Sequence, residues 1–249
     1  MVAADFRVQC SIFSMDFSTK CPFNSHTDFS AINDYFADRP LDQLLEWSLA
    51  LFGDKVAQVS SFGPTGMVIL DRLAQLSPGI RIVTIDPQFL FEETYALWEE
   101  IQRRYPITLD VRRPELSPAA QAQKYGPELW ARDPDQCCAL RKVVPLREVL
   151  HDLDAWITGL RRDQATTRSH LPLVMWDSKY NLVKINPLAN WTRGQVWSYI
   201  LDHKVPYNPL HDQGYASIGC THCTQPSSNP ANERSGRWQG QKIECGIHI

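Results

Sequence analysis

Cysteine is the residue type with the most chemical potential in this chain, and its seven copies fall into separate settings. Cys137 and Cys138 are adjacent, Cys220 and Cys223 form a C-x-x-C, and Cys245 lies near the C-terminus in Glu244-Cys245-Gly246-Ile247-His248. An adjacent pair is a poor disulfide candidate, because neighbouring Cα atoms stand about 3.8 Å apart and disulfides prefer roughly 4.4–6.8 Å. Metal ligation suits it better. Zinc sites usually draw on two C-x-x-C knuckles, which a vicinal pair is not, whereas a cubane offers four separate iron corners to four thiolates. The pattern favours a [4Fe–4S] cluster on Cys137, Cys138, Cys220 and Cys223, with zinc or unliganded cysteines as the alternatives. It leaves Cys245 as a thiol kept for chemistry, and Cys10 and Cys21 as incidental free thiols in an N-terminal stretch without periodicity.

A second set of residues suits an anion. Ser60-Ser61-Phe62-Gly63-Pro64-Thr65-Gly66 follows a strand-like run, Val56, Ala57 and Val59, and precedes an apolar helical run from Met67. Hydroxyls, small residues and backbone N–H groups at a helix N-terminus fit a phosphate or a sulfate ester, and a plain structural turn is the competing reading. The net charge is −3, so the chain as a whole attracts neither nucleic acid nor an anionic membrane, and an anionic ligand needs local cations. Such clusters stand at Arg141-Lys142, at Arg161-Arg162 and between residues 234 and 242. Lys142 is four residues after Cys138, one helical turn on, which would set its ammonium near both the cysteine site and a bound anion.

The motifs Cys137-Cys138-x-x-Arg141-Lys142-Val143-x-Pro145-Leu146, Ile157-Thr158-Gly159-Leu160-Arg161-Arg162-Asp163-Gln164, Gly219-Cys220-x-x-Cys223-Thr224, Gly236-Arg237-Trp238 and Lys242-x-Glu244-Cys245-Gly246-x-His248 occur in that order. From about Gly53 to the end the chain resembles the assimilatory adenylylsulfate (APS) reductases. The phosphoadenylylsulfate (PAPS) reductases resemble the same scaffold and carry the terminal Glu-Cys-Gly, but lack the four cluster cysteines. The resemblance implies thiol-dependent reduction of APS to sulfite and AMP through S-sulfocysteine on Cys245, in assimilatory sulfate reduction and cysteine biosynthesis. It places Ser60, Ser61, Phe62, Gly63, Thr65, Gly66 and Asp86 at the nucleotide, with Lys142, Arg162, Arg234 and Arg237 as the cations and Arg141, Arg161 and Arg168 as lesser candidates. Arg234 and Arg237 would stabilise the leaving phosphate, and nearby cations with His248 would favour a Cys245 thiolate that Glu244 disfavours. Two segments depart from the family: Pro64-Thr65-Gly66 stands in the usual Ser-x-x-Gly-Ala-Glu-Asp loop, and Pro87-Gln88 replaces Thr-Gly after Asp86. The cluster is expected to act structurally and electrostatically. Plant relatives append a thioredoxin-like domain after Glu-Cys-Gly and this chain ends at Ile249, so an external thioredoxin or glutaredoxin is the expected reductant, and a homodimer or homotetramer the expected assembly. The alternatives are a PAPS or dual APS/PAPS reductase, a PP-loop tRNA thiolation enzyme, and a cluster-bearing redox sensor.

These groups need a scaffold. Leu41, Leu44, Leu45, Leu49 and Phe52 follow helical spacing to a cap at Gly53, and residues 80–85 and 107–111 read as buried strands flanking a helix over 89–105. Short helices carry Cys137-Cys138, residues 155–158, 173–176 and 182–185 read as strands, and Thr192-x-x-Gln195 is a capping box opening a helix to about His203. Strands alternating with helices predict an α/β fold with a doubly wound, mostly parallel sheet. The resemblance implies the same, as the adenine-nucleotide α-hydrolase-like fold of the PP-loop superfamily. Residues 1–30 read as a loosely ordered extension, 31–223 as the nucleotide- and cluster-binding domain, and 224–249 as a flexible catalytic tail. At 249 residues and 43% hydrophobic, with no run approaching the ~20 apolar residues of a membrane span, a cytoplasmic protein with a sizeable core is expected.

Overall fold

The computed structural model describes residues 21–229, 232–240, 242 and 244–248. Cys10 and most of the expected extension lie outside the described residues. Residues 21–29 belong to the packed body instead, because Phe23 and Phe29 are buried, 5.1 Å apart ring to ring, and Phe23 also meets Trp47 and Phe52. Four aromatic rings are too much apolar surface to leave in water.

Strands β1 (Val56–Val59), β2 (Arg81–Ile85), β3 (Thr108–Arg112), β4 (Ala155–Ile157), β5 (Val174–Asp177) and β6 (Leu182–Ile185) form one sheet in the order β3-β2-β1-β4-β6-β5. Every pairing is parallel except that of β5 with β6. The helices in chain order are α1 (Ser30–Phe36), α2 (Leu41–Phe52), α3 (Pro64–Leu76), α4 (Glu92–Arg104), α5 (Pro118–Tyr125), α6 (Leu129–Arg132), α7 (Pro134–Cys138), α8 (Val144–Leu150) and α9 (Arg193–His203). Gln58 stands opposite Ile82 on one side and Ile157 on the other, a register that sorts the side chains by parity. Val56, Ile82, Ala155, Ile157 and Ile185 join α2, α3, α4 and α9 in the larger core, whereas Ala57, Val83, Trp156 and Leu182 pack with Leu146, Val149 and Leu150 of α8. Each fully buried Val, Leu or Ile among them contributes about 1.5–3 kcal/mol. Among the described residues, no helix is long and apolar enough to cross a membrane.

Several expected element ends move. Helix α3 begins at Pro64, not after Gly66: a proline at the first helical position has no N–H to leave idle, so Pro64-Thr65-Gly66 form the first turn. Helix α4 begins at Glu92, because Pro87 and Gln88, the latter at φ 60°, turn the chain first. The capping box at α9 is present as expected, with Gln195 N donating to Thr192 Oγ1 and Thr192 N to Gln195 Oε1.

Between α7 and α8 the helix widens into a π-turn over Ala139–Val143, where Val144 N donates back to Ala139 O. Pro145 explains it. The ring lacks an N–H and crowds the carbonyl of Arg141, so the ordinary turn cannot close there. Arg141 and Lys142 sit on this wide turn and are buried. From β1 the chain winds outward through β2 to β3, then returns to β4 on the other side of β1. The carboxyl ends of β1 and β4 therefore flank the topological switch point, where open α/β sheets bind ligands.

Candidate active site

The loop leaving β1 is shaped by Ser60, whose Oγ accepts from Phe62 N at 3.0 Å and holds Phe62 at φ 58°. The backbone of Gly66 passes so close that a Cβ there would stand 2.6 Å from Ser60 Oγ, and a Cβ on Gly159 would stand 3.0 Å from Gly66 N. Two glycines thus let the end of β4 meet the first turn of α3. The unpaired N–H groups of that turn, together with the helix dipole, suit an anion. Around it opens a cleft of about 230 Å3, into which Ser60, Ser61, Gly63, Thr65 and Gly66 face.

Cations from four segments line the same cleft: Lys142 from the π-turn, Arg161 and Arg168 after β4, Arg193 at the start of α9, and Arg234 and Arg237 from the tail. Arg161 donates to Thr65 Oγ1 at 2.5 Å, to Asp163 and to Glu233, so it ties the first turn of α3 to the tail. Arg168 grips Glu244 through Nε and Nη2 at 2.7–2.9 Å, and Arg234 Nη2 lies 3.3 Å from the second carboxylate oxygen. Glu244 therefore does not burden the neighbouring Cys245 with an uncompensated charge, contrary to the sequence expectation. Burial holds Arg234 below the ordinary arginine value, with Glu244 opposing that shift. Arg237 is buried, donates to Cys223 O at 3.2 Å, and lies over the Trp238 ring at 4.4 Å.

Cys137, Cys138, Cys220 and Cys223, all buried, line one small chamber walled by Phe89, Trp130 and His222. Asp133 caps the helix of the vicinal pair by accepting from Gln136 N, and Thr221 N donates to Phe89 O to fix the C-x-x-C loop. Burial first, and then the other three sulfurs, push the Cys137 thiol up to about 11. Burial and Cys220 raise Cys223 likewise. Raised in this way, Cys137 and Cys223 favour the thiol until a metal group offsets the thiolate charge, which is the chemistry of an all-thiolate donor set. Among the described residues, no three or more His, Cys, Asp or Glu side chains converge as a single ion requires. Lys142 borders both chamber and cleft. Burial opposes its charge, yet Cys220, Cys138 and Cys245 outweigh that and hold its pKa above the usual lysine value.

The structure brings Cys245, Lys142, Arg234, Arg237 and His248 to the cleft with the loop residues Ser60, Ser61, Gly63, Thr65 and Gly66. Three expected residues lie elsewhere. Arg162 is exposed and donates to Leu171 O, and its neighbour Arg161 with Arg168 takes the cleft-facing place. Asp86 is buried as an acceptor for Tyr95 Oη, Gln88 N and Arg113 Nε, and braces the β2 exit. Phe62 turns its ring inward onto Trp98 at 5.8 Å. His248 is also corrected in kind, because burial first, then Lys184, Arg168, Arg234 and Lys179, hold its pKa well below the usual value. It is a neutral imidazole stacked 5.4 Å from Trp156, and adds no positive charge near Cys245. Glu233, Arg193, Trp197 and His211 also line the cleft, and no motif announced them.

Comparison with known proteins agrees with this geometry. Residues 55–226 match the phosphoadenosine phosphosulfate reductase domain. The chain is 45% identical over 233 residues to adenosine 5'-phosphosulfate reductase 2 of Bacillus subtilis, covering 90% of this chain and 99% of the relative. It is 45% identical to adenosine 5'-phosphosulfate reductase of Salinibacter ruber, with 90% of each chain covered. Among solved structures it is similar to phosphoadenylyl-sulfate (PAPS) reductase from Candida auris, at 32% identity and a TM-score of 0.73, covering 84% of this chain and 100% of that one. A domain match over the nucleotide cleft and the C-x-x-C, joined to near full-length likeness, places this chain in the phosphoadenosine phosphosulfate reductase family.

Proposed function

We infer that the chain is an oxidoreductase that reduces APS to sulfite and AMP in assimilatory sulfate reduction. The observation that carries this reading is Cys245, held among Lys142, Arg234 and Arg237 in the cleft that also receives the first turn of α3. The 45% identical relatives named for APS support the choice of nucleotide. The α3 N-terminus holds the phosphate of APS and sets the sulfate sulfur before Cys245. The thiolate attacks that sulfur, the sulfur–oxygen bond to phosphate breaks, and AMP departs with the electron pair, leaving S-sulfocysteine. Charge grows on the departing phosphate, so Arg234 and Arg237 stabilise the transition state more than the ground state. Lys142 supplies the positive charge beside the thiolate that a neutral His248 does not. An external dithiol protein such as thioredoxin or glutaredoxin then attacks Cys245 Sγ. Sulfite leaves, and the second thiol of the partner resolves the mixed disulfide, so that two electrons pass from dithiol to sulfur.

A [4Fe–4S] cluster on Cys137, Cys138, Cys220 and Cys223 is the cofactor this donor set supports, and when bound it supplies a buried charged group against which Lys142 is fixed. Lys142, which lines both chamber and cleft, and Arg237, which lines the cleft and donates to Cys223 O, hold the two sites in register. Turnover with reduced thioredoxin, assayed in parallel on APS and PAPS, tests the reading. APS is expected to be favoured in kcat/KM by a large factor, and equal or better turnover of PAPS would refute the assignment.

A further inference from the structure

The end of the tail is held by side chains that line neither the cleft nor the cysteine chamber. Strands β5 and β6 join through a tight turn with Asn181 at φ 60°, and the donors of this hairpin meet three consecutive backbone carbonyls. Lys179 Nζ donates to Gly246 O, Tyr180 Oη to Ile247 O at 2.9 Å, and Lys184 Nζ to His248 O at 3.3 Å. Because the acceptors are backbone atoms, the contact fixes the path of the chain and reads no side chain. Beneath it Trp156 of β4 stacks on His248, meets the Tyr180 ring at 5.6 Å and carries the Lys184 ammonium 4.9 Å above its face. Gly246, at φ 80°, lets the chain bend onto this platform directly after Cys245, a conformation an L side chain resists.

We propose that the β5–β6 hairpin is a seat for the catalytic tail, with Lys179 and Tyr180 as positioning residues that keep Cys245 at the cleft and let it go to a protein reductant. Cys245 is flanked on one side by the pairing of Glu244 with Arg168 and Arg234, and on the other by the hairpin. Both sides must hold for the thiol to face bound substrate, and the hairpin side depends on few hydrogen bonds over a short segment. Such a segment opens locally, without unfolding the sheet. The role in turnover rests on the reading of Cys245 as the nucleophile, but the seat itself does not.

The test is alkylation of Cys245 by a bulky maleimide in the anaerobic full-length protein without nucleotide, followed by mass on the peptide containing Cys245. Lys179 is exposed, so Lys179→Met leaves the fold intact, and Tyr180→Phe keeps the ring on Trp156. Loss of both donors should raise the alkylation rate about tenfold with unchanged Tm, and Lys179→Arg alone, which keeps a donor at 179 and the Tyr180 hydroxyl, should stay near the parent rate. The double variant should also release AMP more slowly in a single turnover with APS. A rate within about twofold of the parent would overturn the seat, since donors of this kind count in the opening equilibrium. Faster alkylation in a protein whose parent releases no AMP from APS would leave the seat standing and sink the functional reading instead.

Discussion

Arg168 and Glu244 form the tightest charged contact of the site, and both are buried. Removing one partner of such a pair leaves the other uncompensated, which costs more than the pair itself contributes. Arg168→Met is therefore expected to lower Tm and to slow AMP release, whereas Arg168→Lys, with one point charge for a fork, should restore only part of either. A melting curve and a single turnover on each variant check it. His248 gives a pH dependence of defined sign. Its folded-state pKa lies below the unfolded value of about 6.5, so as pH falls the unfolded chain takes up a proton that the folded one refuses. Stability contributed by the neutral ring is present above that value and is lost as pH drops. Lowering the pH from about 7.5 to about 5.5 should destabilise the parent by about 1 kcal/mol more than His248→Gln. Equal acid sensitivity in the two would show the ring to be solvated.

The elements around the site work by close approach and by one irregular turn. Gly159 brings the end of β4 against Gly66 N, and Gly159→Ala should weaken AMP binding about tenfold while the sheet persists, measured by calorimetry and circular dichroism. The π-turn before Pro145 points Lys142 between chamber and cleft. Pro145→Ala restores the missing N–H and lets the turn relax towards α geometry, so Tm should hold or rise while kcat/KM falls. The four-cysteine reading makes its own demand. Anaerobic protein should carry about four irons per chain, and serine at any of Cys137, Cys138, Cys220 or Cys223 should lower iron content and activity together. Zinc without iron or acid-labile sulfide would contradict it.

Over the whole molecule, the sequence was legible wherever a local rule applied. Strand β6 at 182–185, the capping box at Thr192 and Gln195, and the stop at Gly53 are short-range signals, and they stand where expected. The convergence of Cys245 with Lys142, Arg234 and Arg237 was carried by motifs. What stayed hidden depends on contacts distant in the chain. Neither the pairing of Arg168 with Glu244 nor the grip of Tyr180 on Ile247 leaves a periodic trace, because one partner is a side chain among several similar ones and the other a carbonyl. The choice of Arg161 over Arg162 was a matter of which neighbour faces inward after β4, and the first residues of an irregular segment do not declare that. The central claim is that Cys245 takes the sulfonate group before any reductant acts. Incubating the anaerobic protein with APS and no reductant measures it directly. About one AMP per active site and an added SO3 mass on the peptide containing Cys245 are expected, with neither from Cys245→Ser and with sulfite released on adding thioredoxin. An adduct on Cys21 or on a chamber cysteine, or undiminished turnover by Cys245→Ser, would contradict the account.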